Sequence, residues 1–279
     1  MSTPTQSIVK GESAVLATKP QENRLEYLLG KDNVKERFDK MLGRKAPGFI
    51  SSIISAVKSN KNLEQCEPMS VISAAAVAAS LDLPINPSLG MAHIVPYSNV
   101  AQFQMGWKGF VQLALRTGQY KTLNVSEVYE GEIFKHDVFT GEMEFKQSEK
   151  RENIIGYVFY FKLLNGFEKY FYMTKQECEK HGKKYSQTYK KGFGRWVEDF
   201  DGQAKKTVIK LGLGKYGVLS IEMQNAFKTD EAVVDTTGEV VEYPDNTKEE
   251  KKQAEPISSR LHDAIEVKSE SSQIPFGGE

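Results

Sequence analysis

Residues 74–121 constrain the fold of this 279-residue chain more than any other stretch. The segment opens with alanines small enough to let another backbone approach closely, and an elbow containing Pro84 follows. Apolar residues then alternate on either side of Ser98-Asn99, which predicts a short hairpin. A helical pattern starts at Trp107 and stops at Gly118. With no nucleophile, metal cluster or phosphate loop inside it, the segment predicts a packed scaffold presenting amides, rings and a few cations.

Helical patterns precede this segment, and mixed patterns follow it. Apolar residues between 23 and 81 recur at helical spacing and predict four helices. Residues 120–145 predict two or three strands, and Asn165-Gly166 is the strongest hairpin signal in the chain. Thr174 and Glu177 form a capping box, and residues 201–213 predict a later helix. The sequence therefore predicts an α+β fold, with a helical N-terminal lobe packed on an antiparallel sheet.

Charge is segregated along the chain, although basic and acidic residues number 37 each. Residues 230–279 carry 13 acidic and five basic residues, a net charge of −8, and the rest of the chain carries +8. This asymmetry indicates either a polyanionic partner or a solvated surface with a solubilising tail. Low hydrophobicity predicts a flexible N-terminus over residues 1–22 and a disordered acidic tail over 229–279, leaving one domain at 23–228.

The cysteines and the lack of long apolar stretches indicate the cellular compartment. The two cysteines, Cys66 and Cys178, imply no disulfide framework and fit a reducing cytoplasm. Residues 1–20 are polar and lack the apolar core of a signal peptide, and no stretch reaches the length of a membrane span. We therefore expect a soluble cytoplasmic protein without a membrane partner.

Residues 183–215 carry the strongest nucleic-acid signal, because cations alternate there with aromatic rings. Cations neutralise phosphates and rings stack on bases, and binding a single strand uses both. Ala204, Val208 and Leu211 predict a buried helix stripe, which places Lys206 and Lys210 on a shared exposed face. An ordinary solvated helix face is the alternative. The candidate DNA contacts are Lys183, Lys184, Lys190, Lys191, Arg195, Trp196, Lys205, Lys206, Lys210 and Lys215.

A second candidate site surrounds the first hairpin and the helix after it. Gln102 and Gln104 alternate with Phe103 and therefore share one strand face. Their amides suit phosphates or base edges, and they equally suit a plain sheet surface. Trp107 begins an amphipathic helix, a position where an aromatic residue more often belongs to the core. The candidate contacts are Gln102, Gln104, Trp107, Lys108, Arg116, Tyr120 and Lys121.

Taken together, the motifs resemble the RecT family of phage-type single-strand annealing recombinases over roughly residues 25–225. The matching motifs are Leu81-Asp82-Leu83-Pro84, Ile94-Val95-Pro96-Tyr97, Gln102-Phe103-Gln104-Met105-Gly106-Trp107-Lys108-Gly109, Arg116-Thr117-Gly118 and Ala204-Lys205-Lys206-Thr207-Val208-Ile209-Lys210. One departure lies at the end of the last core helix. Where the family usually has Leu-Pro after a Lys-Tyr pair, this chain has Gly217-Val218.

The resemblance implies ATP-independent annealing of complementary single strands in phage-type recombination, without catalytic residues and without bond making. A sheet and a crossing helix line the DNA groove in this family, and Lys108 falls in its DNA-contacting part. The partners implied are single-stranded DNA, the annealed duplex, a phage-type exonuclease and host single-strand-binding protein, with nucleoid association during recombination. We expect a homo-oligomer, ring or helical filament, with contacts from the apolar N-terminal helices. No cofactor is implied, although Mg²⁺ can influence DNA binding without a dedicated protein site.

Other functions have weaker signals. Gly212-x-Gly214-x-x-Gly217 matches the dinucleotide fingerprint, but the pattern before it is helical and no βαβ unit surrounds it. A passive single-strand-binding protein would share the basic and aromatic residues. Cys178 and His181 have a ligand-like spacing, but no second pair lies near them, and structural roles are expected for His93 and His136. The carboxylates of Glu127, Glu130, Glu132 and Asp137 lack a nuclease spacing, so a solvated strand edge is expected there.

The acidic tail contains one apolar motif, Ile274-Pro275-Phe276. It is similar to the tip by which bacterial single-strand-binding proteins recruit partners, although here it is internal and no aspartate run precedes it. Three interpretations of the tail stay open: an inert solubilising segment, a partner-docking segment, or an anion that competes with DNA for the basic groove.

Overall fold

The computed structural model describes residues 21–243 and confirms the α+β class with an antiparallel sheet. The predictions for the N-terminus before residue 21 and for the chain after Tyr243 lie outside the described residues. None of the helices between residues 21 and 243 combines the length and apolar character that crossing a bilayer requires.

Within residues 21–80, helices form the N-terminal lobe around one central helix. These are α1 (Gln21–Leu29), α2 (Asp32–Leu42), α3 (Ala46–Lys58), α4 (Lys61–Glu64) and α5 (Pro68–Ser80). Alanines and serines leave room for neighbours around α5, so it is buried along nearly its whole length. Leu29, Phe38 and Ile53 are buried in the same core. Most of the apolar side chains that we expected at subunit contacts are therefore used inside the lobe.

The elbow after α5 leads into the predicted hairpin. Strands β1 (Ala92–Tyr97) and β2 (Val100–Met105) pair antiparallel, with Tyr97 opposite Val100 across Ser98-Asn99. Ser98 has a positive φ of 57°, as tight hairpin turns require. Phe103 of β2 is fully buried, and β2 packs on α5. Helix α6 (Trp107–Arg116) then begins and ends where the sequence predicts.

The main sheet has the strand order β3-β6-β7 and is antiparallel throughout. Its strands are β3 (Tyr120–Tyr129), β6 (Ile154–Leu163) and β7 (Glu168–Thr174). Between β3 and β6, strands β4 (Ile133–His136) and β5 (Met143–Phe145) form a separate hairpin that leaves Phe134, Val138 and Phe139 exposed. Alternate residues of β6, including Tyr157, Phe159 and Phe161, are buried.

Within the described residues, five helices follow the main sheet. They are α7 (Lys175–Tyr185), α8 (Gln187–Lys190), α9 (Arg195–Glu198), α10 (Phe200–Tyr216) and α11 (Ile221–Thr229). The predicted capping box is confirmed, since Thr174 and Glu177 bond each other's backbone amides at the start of α7. Helix α10 contacts all three sheet strands and α6. Its buried face includes Ala204 and Val208 as predicted, whereas Leu211 is exposed.

The prediction that ordered structure stops near Thr229 is wrong. Strands β8 (Val233–Val234) and β9 (Val240–Glu242) form a small hairpin after α11. The Glu231 amide donates to the Phe103 carbonyl at 2.9 Å, and Val233 and Val234 are buried. The folded region therefore continues past residue 228 at least to Tyr243, and Asp230 and Glu231 belong to it.

Candidate nucleic-acid interface

A cleft of about 640 Å³ lies between the β1–β2 hairpin and the helices α7 to α10. The hairpin supplies Gln102 and Gln104, and the helical side supplies Arg195, Trp196, Lys206 and Lys210. The two regions singled out in the sequence are far apart along the chain, yet they line one cavity. This meeting of the two predicted regions makes the cleft the candidate site.

Strand β2 fixes the glutamine side of the cleft. Phe103 packs into the core, so its neighbours Gln102 and Gln104 share the opposite face of the strand, as predicted. Gln104 is half-buried, whereas Gln102 is only 2% exposed. Within residues 21–243, the Oε1 atom of Gln102 is buried without a hydrogen-bond partner. A buried acceptor left unpaired costs folding free energy, and this one lies at the lining of a cavity.

Aromatic residues form the opposite wall. Trp196 stacks with Tyr189 at 5.5 Å between ring centroids, and its ring lies against Gly182. A Cβ atom at Gly182 would lie 2.8 Å from the ring, so only glycine leaves room for the tryptophan there. Trp196 is thus held in place by packing, while Phe193, a few residues earlier, is 54% exposed and also lines the cleft. Phe193 is therefore the more accessible stacking surface.

The prediction that Lys206 lies on an exposed face is wrong. Its side chain is buried, and its ammonium donates to Asp230 at 3.0 Å and to Glu231 at 2.7 Å. Lys210 is partly exposed and donates to the other oxygen of Asp230 at 2.7 Å. Asp230 also accepts from the Met105 amide at 2.9 Å, which ties β2 to α10. Lys206 and Lys210 of α10 thus belong to an internal ion network.

The two sides of this network stabilise each other's charges. Burial lowers the pKa of the Lys206 ammonium, but the charges of Asp230 and Glu231 outweigh burial and hold that pKa above its ordinary value. Burial raises the pKa of the Asp230 carboxyl, but the charges of Lys206 and Lys210 and the Met105 amide hold it below its ordinary value. Both groups are consequently charged at neutral pH.

The histidines and cysteines near the cleft are electrically neutral. Burial lowers the pKa of His181, which lines the cleft, to about 4, and burial and the nearby Arg195 charge do the same for His93. Burial raises the pKa of the Cys178 thiol to about 12. In the described part of the chain, no three His, Cys, Asp or Glu side chains are grouped as a metal site would need.

Trp107, Lys108 and Lys205 form a second cluster, where α6 packs on α10. The ammonium groups of Lys108 and Lys205 lie 5.7 and 6.0 Å from the Trp107 ring centroid, within the range of cation–π attraction. Lys205 is also paired with Glu127 of β3. Trp107 packs against the core with part of its surface open, so the exposed Lys108 is the cation of this cluster best placed to meet a phosphate.

Arg116 and Tyr120, which were predicted to contact DNA, form hydrogen bonds within the fold. Arg116 donates to the Leu81 and Asp82 carbonyls, both at 2.7 Å, and so fixes the elbow after α5. The Tyr120 hydroxyl accepts from the Val218 amide at 2.8 Å and anchors the end of α10. Both side chains are engaged in structural hydrogen bonds away from the cleft lining.

The remaining predicted lysines are distributed around the surface. Lys190 and Lys191 are exposed at the end of α8, an element whose Thr188 lines the cleft, and Lys184 lies on the neighbouring end of α7. Lys183 pairs with Glu179 at 2.6 Å. Lys121 and Lys215 are exposed on β3 and α10 and do not line the cleft.

A nuclease would need several carboxylates close together around a metal ion, but here the carboxylates interact with different partners. Glu127 pairs with Lys205, and Glu130 accepts from Asn153 at 3.3 Å. Glu132 pairs with Arg151 at 3.0 Å and is buried, so the expectation of a solvated strand edge is wrong for this residue. The dinucleotide fingerprint is confirmed to be helical, because Gly212 and Gly214 lie within α10.

Several residues that line the cleft, notably Asp230, Glu231 and Tyr243, lie outside the predicted site. The sequence places them in the acidic tail because acidic residues dominate the composition there. The apolar run Ala232-Val233-Val234 is the signal that could have found them, since such a run between turn-forming residues is typical of a short strand.

The chain belongs to the RecT family, whose family model matches residues 47–254. It is therefore a protein of the phage-type recombination or annealing class, as the motif resemblance indicated. It is 44% identical over 259 residues to the uncharacterized protein YqaK of Bacillus subtilis (strain 168), a match that covers 89% of each chain. It is also 27% identical over 215 residues to Protein RecT of Escherichia coli (strain K12), covering 73% of this chain and 78% of that protein.

Proposed function

We propose that this protein anneals complementary DNA single strands without ATP. The observation that carries the proposal is that residues from three of the motifs resembling the annealing family, on β1, β2 and α10, line one cleft. Membership of the RecT family supports the same function. Amides, exposed rings and nearby surface lysines are the groups that sequence-tolerant binding of a single strand uses.

In this mechanism the first strand follows the cleft in an extended form. Exposed lysines at the rim, Lys190 and Lys191 among them, neutralise its phosphates, and most bases stay available for pairing. The second strand then adds its own phosphates to the same basic surface, so the nascent duplex is bound better than either single strand. No bond is made or broken, and the proposal needs neither a catalytic residue nor a cofactor. Mg²⁺ acts on the charge of the DNA.

We extend the proposal to assembly and partners. Each subunit holds a few nucleotides, so a ring or filament of copies would register long homology through multivalency. A phage-type exonuclease would supply the single strand, and host single-strand-binding protein would be displaced from it. The reaction would take place in the cytoplasm, at the nucleoid.

The test is the annealing rate of labelled complementary oligonucleotides, with the protein and with or without ATP. We expect a rate above the spontaneous one that does not depend on nucleotide. A passive single-strand-binding protein would bind the strands without accelerating pairing, and a nuclease would shorten them when Mg²⁺ is added. Either result contradicts the proposal.

A further inference from the structure

The interior of the cleft carries no net charge, although the region around it was predicted to be basic. Among the described residues, three cationic side chains line it, Arg195, Lys206 and Lys210, and each has an acidic partner. Lys206 and Lys210 share Asp230, Lys206 also pairs with Glu231, and Arg195 lies 3.9 Å from Glu198. A phosphate entering the interior would meet these three carboxylates along with the cations, so the interior favours a neutral ligand.

The unpaired side-chain oxygen of Gln102 further restricts which groups of a ligand the interior can bind. Its unsatisfied atom is an oxygen, which accepts hydrogen bonds and therefore needs a donor. Within a DNA strand, phosphodiester and deoxyribose groups offer no donor, whereas bases carry amino or imino N–H groups on their edges. The ligand group that satisfies Gln102 is consequently a base edge.

An exposed ring completes the site. Phe193 lines the same cleft and is 54% exposed, although it lies beside a well-packed aromatic wall. Flat rings of this kind stack on bases of any sequence. The volume of about 640 Å³ is within the range of small-molecule sites and accommodates a nucleoside.

We propose that the interior of the cleft receives one unpaired base of the bound strand, with its edge on Gln102 and its face on Phe193. The inference rests on the proposed single-strand function and adds a subsite to it. Pairing uses the same donors on the base edge, so the base leaves Gln102 when the second strand arrives. The site thus acts on the first strand, while the phosphates of the duplex stay on the rim.

The test compares binding of oligodeoxycytidine with binding of an abasic strand of equal length and charge. The protein is expected to prefer the base-bearing strand, and the preference should not change with salt because both strands carry the same phosphates. Gln102→Met keeps the side-chain length and removes the amide, and we expect it to reduce the preference about five- to tenfold. Gln176→Met, at an exposed position of α7, is the matched control.

Stability measurements separate this role from a structural one. Gln102→Met removes an unpaired buried acceptor, so the variant should unfold at the same temperature as the natural protein or higher. Phe193→Ala, at an exposed position, provides a second variant that should lower the preference, with exposed Phe134→Ala as its control.

If the unmodified protein binds both strands equally, the base site is overturned and the annealing function is not. If it binds neither strand, the annealing function is overturned as well. An unchanged preference in Gln102→Met means that the amide is satisfied by water, and this also overturns the inference.

Discussion

The carboxylate of Asp230 accepts a hydrogen bond from the ammonium of Lys206 at 3.0 Å, and both side chains are buried. Asp230 follows α11 and Lys206 lies in the middle of α10, so the pair ties the two helices together beneath the cleft. The same carboxylate binds the Met105 amide at the end of β2. One acidic residue therefore holds both walls of the candidate site in position.

Replacing Asp230 should destabilise the protein strongly. Asp230→Asn leaves the buried Lys206 ammonium with a single carboxylate partner, Glu231, among the described residues. Removing one member of a buried ion pair typically costs about 3–5 kcal/mol. Urea unfolding measures the loss. A control is Glu239→Gln, which breaks an exposed pair with Lys228 and should cost less than about 1 kcal/mol.

The double variant Asp230→Asn, Lys206→Met sharpens this prediction. It also removes the buried ammonium that the single substitution leaves with only one carboxylate partner, so it should recover part of the stability lost. If the two substitutions are instead additive, the ion pair does not have the central role that its geometry indicates.

Stability should fall as the pH drops from about 6.5 to 4. His93 and His181 have folded-state pKa values of about 4, below the ordinary value of 6.5, because burial disfavours their charged forms. The unfolded chain therefore binds more protons in this range, and acid favours unfolding by roughly 2–3 kcal/mol at most per histidine. His181→Gln should flatten the pH dependence of the urea midpoint, and exposed His136→Gln should not. The same slope in all three proteins would contradict this account.

Local features of the fold were predictable because they depend on neighbouring residues. The turn at Ser98-Asn99, the capping box at Thr174 and the bounds of α6 are set by a few adjacent side chains. The positions of Gln102 and Gln104 on one strand face follow from the two-residue repeat of a strand. These are the parts of the fold that the sequence located correctly.

The environment of Lys206 was not predictable in the same way. Helical periodicity placed it opposite Val208 and therefore on the polar face. That face is covered by Asp230 and Glu231, which come from a segment 24 and 25 residues further on. Leu211 shows the opposite error. The apolar stripe predicted that its side chain is buried, but it is exposed and lines the cleft. Periodicity identifies faces, but only the tertiary fold decides what covers them.

The two glycines of α10 should respond oppositely to alanine. A Cβ atom at Gly212 would lie 2.5 Å from the buried Phe159 ring, so Gly212→Ala should destabilise the protein by about 1–3 kcal/mol through overpacking. At Gly214 the nearest atom is 3.8 Å away, so Gly214→Ala should stabilise the helix by up to about 1 kcal/mol. Thermal unfolding of both variants checks this. Equal effects would mean that the close approach of α10 to β6 is not present in solution.

The rim lysines, rather than Lys206, are expected to bind the phosphates. Lys190 and Lys191 are exposed next to the cleft, and each lysine that ceases to neutralise a phosphate of a single strand reduces the salt slope of binding by roughly 0.7. The variant Lys190→Ala, Lys191→Ala should therefore give a slope shallower by about 1.4, with unchanged thermal stability. Lys35→Ala, Lys40→Ala removes two exposed lysines of α2 and is the charge-matched control, for which we expect no change in slope. Lys206→Met should behave differently from both, losing stability because Asp230 is left buried with one cation fewer. An unchanged slope for the rim variant would remove these lysines from the interface and place the strand elsewhere on the surface.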